Sequence, residues 1–189
     1  MMINNNQTGI HFGAMKICSA TILNKRNNKP FDTNIVKLDC NDLNDIQLLK
    51  QIAQTWEKNY YIQRILEIAE LKAKKDAYYT IYDIYAMTKQ EDKFEKLNSK
   101  DILGVMDIEA TPYENVIFLD HIETNPQYAL TQKDRDLCKV GRILLDFLKE
   151  RFRKIELIAR NSIYVEEFYK SCGFIEESNW KGFFYWEKK

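Results

Sequence analysis

The chain has 189 residues, with 28 basic and 28 acidic side chains that cancel to a formal net charge of +0. That length suits one α/β domain able to bury roughly two-thirds of its unfolded surface, so neither disulfides nor metals are needed as staples. The charge balance argues against the broad basic face that nucleic-acid and anionic-membrane binding reward. No run approaches the roughly 18 apolar residues of a membrane span. The polar first residues lack a basic start, a long apolar middle and a cleavage site. We expect residues 1–14 to be a loose segment and residues 15–189 to form a single domain in the cytoplasm. Cys18, Cys40, Cys138 and Cys172 lie far apart with no CxxC pair, which fits reduced thiols. His11 and His121 are too few for a histidine-rich metal site. No metal is expected, and no GxSxG elbow, Walker loop or GxGxxG occurs.

In chain order, two short apolar runs, 16–23 and 34–38, are strand candidates with weak alternation. Asn41-Asp42 offers caps for a helix beginning near Leu43. Its apolar residues Ile46, Leu49, Ile52, Ala53 and Trp56 recur at threes and fours. A second helical pattern follows in Ile62, Ile65, Leu66, Ile68, Ala69 and Leu71. Trp56, Tyr60 and Tyr61 are expected to be packing residues. From residue 77 the period changes to two, and YYTIYDIYAMT reads as a strand. The polar run KQEDKFEKLNSKD separates it from a second strand, ILGVMDIEA. Thr111-Pro112 turns the chain into a third, NVIFLDHIET. The first half of that third strand is apolar almost throughout, as for a central strand covered on both faces. Asn125-Pro126 ends it. Residues 133–152 carry helical spacing in Val140, Ile143, Leu144, Phe147 and Leu148. IELIA is a short strand, Ser162 can cap a helix over Ile163–Ser171, Gly173 is placed to stop it, and FFYWEK is a last strand. One mixed sheet with helices on both faces is the economical packing, an α/β fold.

Two local signals stand out. One is a strand ending in Asn-Pro, then a loop and a helix containing KVGRILLDFLKE. The other is a strand followed by NSIYVEEFYKSCGF. In this order and spacing, over residues 102–174, they resemble the GNAT superfamily of N-acyltransferases. In that family a strand of the type L-x-V-x-P precedes a loop (Q/R)-x-x-G-x-(G/A) that opens a helix. Ile122-Glu123-Thr124-Asn125-Pro126 matches the strand. Asp136 stands at the Q/R position, Lys139 at the first glycine and Gly141 at the second. Such a loop aims backbone N–H groups at a pyrophosphate. Lys139 restricts φ there and adds a cation, while Lys133, Arg135 and Arg142 are nearby phosphate partners. Phe168-Tyr169, three residues, then Gly173-Phe174 reproduces the family's FYxxxGF pattern, with Phe168 and Phe174 expected in the core.

The resemblance implies a single GNAT-like domain over 15–189, a mostly antiparallel sheet flanked by helices, and acetyl-CoA as cosubstrate. It implies direct transfer of an acetyl group, within a ternary complex, to a primary amine of a small molecule, protein or peptide. The protein would act as a monomer or homodimer, without nucleic-acid or membrane partners. The implied cosubstrate contacts are Ile122, Thr124, Lys139, Val140, Gly141, Arg142, Asn161 and Phe168. Tyr169 matches the general acid that protonates the departing thiolate. For the base, Glu123 comes first and His121 second. Strand alternation places those two on one face and Asp120 on the other. Cys172, near the implied thioester, reads as a passive small residue. A different class stays open, because two of the three loop positions are altered: a non-catalytic acyl-CoA-binding or interaction module. A toxin acylating aminoacyl-tRNA is disfavoured by the neutral charge.

Overall fold

A computed structural model describes residues 13–56, 60–129, 136–160 and 162–189. Strands β1 (Met15–Asn24) and β2 (Lys29–Lys37) form an antiparallel hairpin, so both weak apolar runs are strands. Helix α1 (Leu43–Thr55) starts where the Asp42 carboxylate accepts the Asn44 N–H at 2.7 Å, as the Asn41-Asp42 pair suggests. Helix α2 (Tyr60–Ala73) follows and buries Ile62, Ile65 and Ile68. Trp56 is buried as expected, but Tyr60 is exposed on the first turn of α2.

Strand β3 (Tyr82–Thr88) begins later than the alternation suggests. The Asp76 carboxylate accepts the Tyr78 N–H and winds Ala77–Ile81 into a 3-10 turn. Strands β4 (Ile102–Ala110) and β5 (Val116–Thr124) are antiparallel neighbours. The next segment corrects the expected helix over 133–152. Leu137–Cys138 is a two-residue strand, β6, paired with Leu23 and Asn24 of β1, and helix α3 runs only over Val140–Arg151. Then come β7 (Lys154–Ile158), α4 (Ile163–Ser171), β8 (Ile175–Glu176) and β9 (Phe183–Glu187). Ser162 takes the N-cap position of α4 without a side-chain cap bond. Gly173, at φ +81°, provides the left-handed exit that ends the helix.

Among the described residues the strands form one nine-stranded sheet in the order β6-β1-β2-β3-β4-β5-β7-β9-β8, with β5 and β7 as its one parallel pair. One face packs α3 and α4 over Leu103, Met106, Leu119 and Phe184. The other packs α1 and α2 over Val36, Ile84, Ala86 and Val105. Each fully buried Leu or Ile in these layers stabilises by roughly 1.5–3 kcal/mol. The four cysteines are free thiols. No helix among the described residues is long and apolar enough to cross a membrane.

Candidate functional site

The parallel pair is short. β5 matches β7 only from Val116↔Lys154 to Leu119↔Leu157, while β5 itself continues to Thr124. The strands part where β5 carries a bulge: His121 pairs with Asp107 and Leu119 with Ile108, so Asp120 is the extra residue. Past that point no ladder pairing joins β5 to β7 among the described residues, and a cleft of about 390 Å³ lies beside the strand. Ile122, Glu123 and Thr124 form one wall, residues 139–142 a second, and Phe168 and Tyr169 a third. Asn125 holds the end of β5 in place. Its N–H donates to the Leu103 carbonyl at 2.8 Å, and its side-chain amide donates to the Ile102 carbonyl at 3.0 Å.

The start of α3 opens on this cleft. Lys139 is the N-cap, at φ +69° and ψ 16°, a left-handed conformation that costs a non-glycine residue about 1–2 kcal/mol. This is the first-glycine position of the loop pattern: the lysine adopts the glycine conformation at some cost in strain. The first amide bonded back along the helix is that of Ile143, which donates to the Lys139 carbonyl at 3.0 Å. The N–H groups of Val140, Gly141 and Arg142 therefore precede the helical ladder and, with the helix dipole, suit an anion. A second groove adjoins the first and shares Lys139, Arg142 and Phe168 with it, adding Lys25 from the β1 end. Arg142 also ties α3 to α4, donating to the Ser171 carbonyl at 3.0 Å and to its hydroxyl at 3.1 Å.

Two glycines let α3 come this close. A Cβ at Gly104 in β4 would lie 2.9 Å from both Leu144 Cδ1 and Val140 Cγ1, and 3.1 Å from the Glu123 carbonyl. A Cβ at Gly141 would lie 3.3 Å from the Phe168 ring and 3.6 Å from the Thr124 hydroxyl. Phe168, expected in the core, is instead half-buried with its ring in the cleft wall. Phe174 is core, and Tyr169 is only 8% exposed, its ring 5.7 Å from Phe174 and 6.0 Å from Phe184. Burial, and then the Glu123 charge, raise the Tyr169 phenol well above its ordinary range. Its hydroxyl therefore stays protonated at any working pH. Cys172 is buried, and burial raises its thiol, so it is held as the unreactive form.

His121 stands off the cleft wall. Its Nδ1 lies 3.1 and 3.3 Å from the two carboxylate oxygens of Asp107, on the side where α2 places Tyr61 with ring centroids 5.6 Å apart. Asp120 corrects the alternation argument: the bulge turns it toward the same imidazole, with Oδ2 3.6 Å from Nδ1. Asn161, Lys133, Arg135 and His11 lie outside the described residues. Three residues escaped the sequence reading: Gly104, Asp107 and Tyr164, the last lining both grooves. A glycine and an aspartate inside the otherwise apolar ILGVMDI were the available signals for the first two, marking a close approach and a buried polar group.

No protein-family model matches the chain, and no curated protein matches it. Solved structures do resemble it. A protein described as a GNAT-family acetyltransferase from Desulfovibrio desulfuricans is 16% identical over 82% of this chain and 98% of its own, with a TM-score of 0.53. A chimera of the spermidine N-acetyltransferase SpeG from Vibrio cholerae and hSSAT is 16% identical over 82% of this chain and 95% of its own, TM-score 0.50. A chain of the NatC complex bound to Gag peptide and CoA is 11% identical over 83% of this chain and 99% of its own, TM-score 0.50. At such identities the likeness is one of architecture: this chain has the fold of the GNAT acetyltransferases.

Proposed function

We propose that the protein is an N-acetyltransferase that moves an acetyl group from acetyl-CoA directly to a primary amine, in a ternary complex and without a metal. The observation that carries this reading is the parting of β5 from β7 beside the uncapped start of α3. The edge of β5 suits the amide-bearing arm of the thioester, and the amides of Val140, Gly141 and Arg142 suit its pyrophosphate. Lys139 and Arg142 add positive charge there, with Ile122, Thr124 and Phe168 lining the arm's path. Asn161 belongs to the same proposed set by its place in the chain. Amide N–H groups on the β5 edge face the charge that develops on the acyl oxygen. Tyr169 donates a proton to the leaving sulfur, and a group on β5, Glu123 or His121, takes a proton from the amine. The acceptor is a small-molecule or protein amine, the two classes represented by the spermidine enzyme and the peptide-bound complex of similar fold. The setting is the cytoplasm, and residues 15–189 act as one domain, alone or as a homodimer.

The test is a thermal shift with acetyl-CoA. At 100 times its dissociation constant it should stabilise the protein by about 2.7 kcal/mol. Gly141→Glu should abolish the shift by setting a carboxylate against phosphate. No shift with millimolar acetyl-CoA or other acyl-CoAs, in protein purified free of CoA, removes the reading. Binding without any thiol release across an amine screen favours a non-catalytic acyl-CoA module, which the left-handed Lys139 in the glycine position would suit.

A further inference from the structure

Asp107 sits near the middle of β4 and is 0% exposed. A carboxylate there is costly unless something compensates it; the residue across the ladder offsets part of that cost, and burial still holds the Asp107 carboxyl above its usual range. Asp107 and His121 are register partners, and both carboxylate oxygens face the imidazole Nδ1. His121 is the second residue past the last β5–β7 pair, next to Ile122 and Glu123 of the cleft wall. The charged groups facing the imidazole are Asp107 from β4, Asp120 from the bulge of its own strand and Arg64 from α2, with the Tyr61 ring beside it. An Nδ1–H donated to Asp107 leaves the lone pair on Nε2.

Resting on the acyl-transfer reading, we propose that His121 is the proton acceptor for the incoming amine and that Asp107 is the positioning residue that holds its tautomer. The acceptor arrives as an ammonium and loses one proton to Nε2, which passes it to solvent. The freed lone pair forms the C–N bond while the C–S pair leaves with sulfur. The sulfur takes the Tyr169 hydroxyl proton, and the second proton shed by nitrogen restores that hydroxyl. Burial alone would lower the imidazole's proton affinity. The bond to Asp107 and the charges of Asp107 and Asp120 outweigh it, with Arg64 opposing, so His121 titrates above its usual range. For a base that must deprotonate an ammonium, a raised value is the better match.

The chain contains two histidines, so the imidazole of His121 can be followed by NMR as one of two titrating rings. Asp107→Asn should move its titration to lower pH, and Asp120→Asn, at the partly exposed carboxylate, should move it less in the same direction. In thiol-release assays from acetyl-CoA with spermidine, lysine and short peptides as acceptors, the acid limb of kcat/KM should follow the same shifts. His121→Gln should slow turnover by about 10²–10³ while acetyl-CoA still stabilises the protein. An Asp107→Asn protein whose His121 titration is unmoved overturns the pairing, and the Asp120→Asn titration decides it if Asp107→Asn does not fold. An acid limb that persists in His121→Gln and vanishes in Glu123→Gln overturns the assignment alone. Loss of acetyl-CoA binding in the wild type would remove the acyl-transfer reading, and this role with it.

Discussion

On the α3–α4 face of the sheet the site is made of backbone: a strand edge beyond the last β5–β7 pair, a helix start whose first amides precede the ladder, and two glycines that let the helix approach. On the α1–α2 face it is made of side chains, with Asp107, Asp120 and His121 beside the Tyr61 ring. A backbone site tolerates unusual residues, because every residue carries an amide. This is how Lys139 can stand where the loop pattern has glycine. A site of buried titratable groups tolerates little, because each charge needs its partner. Substitutions on the first face should therefore act through shape and hardly respond to pH, whereas those on the second should act through protonation.

The largest expected effect lies on the side-chain face. Asp45, in the first turn of α1, is 1% exposed, and its Oδ1 has no hydrogen-bond partner among the described residues, while Oδ2 accepts the Asp39 N–H at 2.8 Å. Burial, with the charges of Asp42 and Asp39, pushes its carboxyl up to about 7 against the bond from Asp39. The native state then holds a proton that the unfolded chain, titrating near 3.8, has already released. The stability this proton contributes is fully present below about pH 4 and is lost as pH rises through about 7. Against Asp45→Asn, the wild type should lose about 2–4 kcal/mol more stability across that window. Denaturant melts at pH 4, 5.5 and 7.5 measure this, and parallel pH profiles for the two proteins would refute it.

Tyr169 packs in the core of the α3–α4 face. Tyr169→Phe keeps the ring against Phe174 and Phe184, so folding and acetyl-CoA affinity should hold while thiol release slows by about 10², at the low end for a general acid because thiolate leaves readily. Calorimetry and the rate assay separate the outcomes: an unchanged rate makes the tyrosine a packing residue, and collapse of the fold makes its hydroxyl structural. On the backbone face, Gly104→Ala should cost about 1–3 kcal/mol by overpacking against Val140 and Leu144. It should also weaken acetyl-CoA by pushing the start of α3 off the sheet, with no change between pH 5 and 8. The smallest effect is at Lys139. Lys139→Gly relieves the left-handed strain and should stabilise the free protein by about 0.5–1 kcal/mol net of glycine's entropy. It should also weaken acetyl-CoA severalfold at low salt, a loss that fades as salt screens the ammonium. Binding tenfold tighter in Lys139→Gly would show the side chain to be an obstruction and favour the non-catalytic module.

Features that depend on near neighbours were legible along the chain. The threes and fours of Ile46, Leu49 and Ile52, the Asp42 cap, the strands around ILGVMDIEA and NVIFLDHIET, and the stop at Gly173 are all local patterns of burial and backbone preference. So are the strand–loop–helix and FYxxxGF segments, whose residues line the cleft because each rides on an element written in its own stretch of chain. Features that depend on register between distant segments were not legible along the chain. Leu137–Cys138 became a strand by pairing with β1, more than 110 residues earlier, which shortened α3 and set its start against the cleft. The bulge that turns Asp120 toward His121, the placing of Asp107 across the ladder from it, and the close approach at Gly104 likewise follow from how β4, β5 and α3 meet. Periodicity reports which face of an element is buried and is silent on which residue of another strand lies opposite. A one-residue change of register is invisible in the pattern of either strand alone, yet it decides which side chains meet.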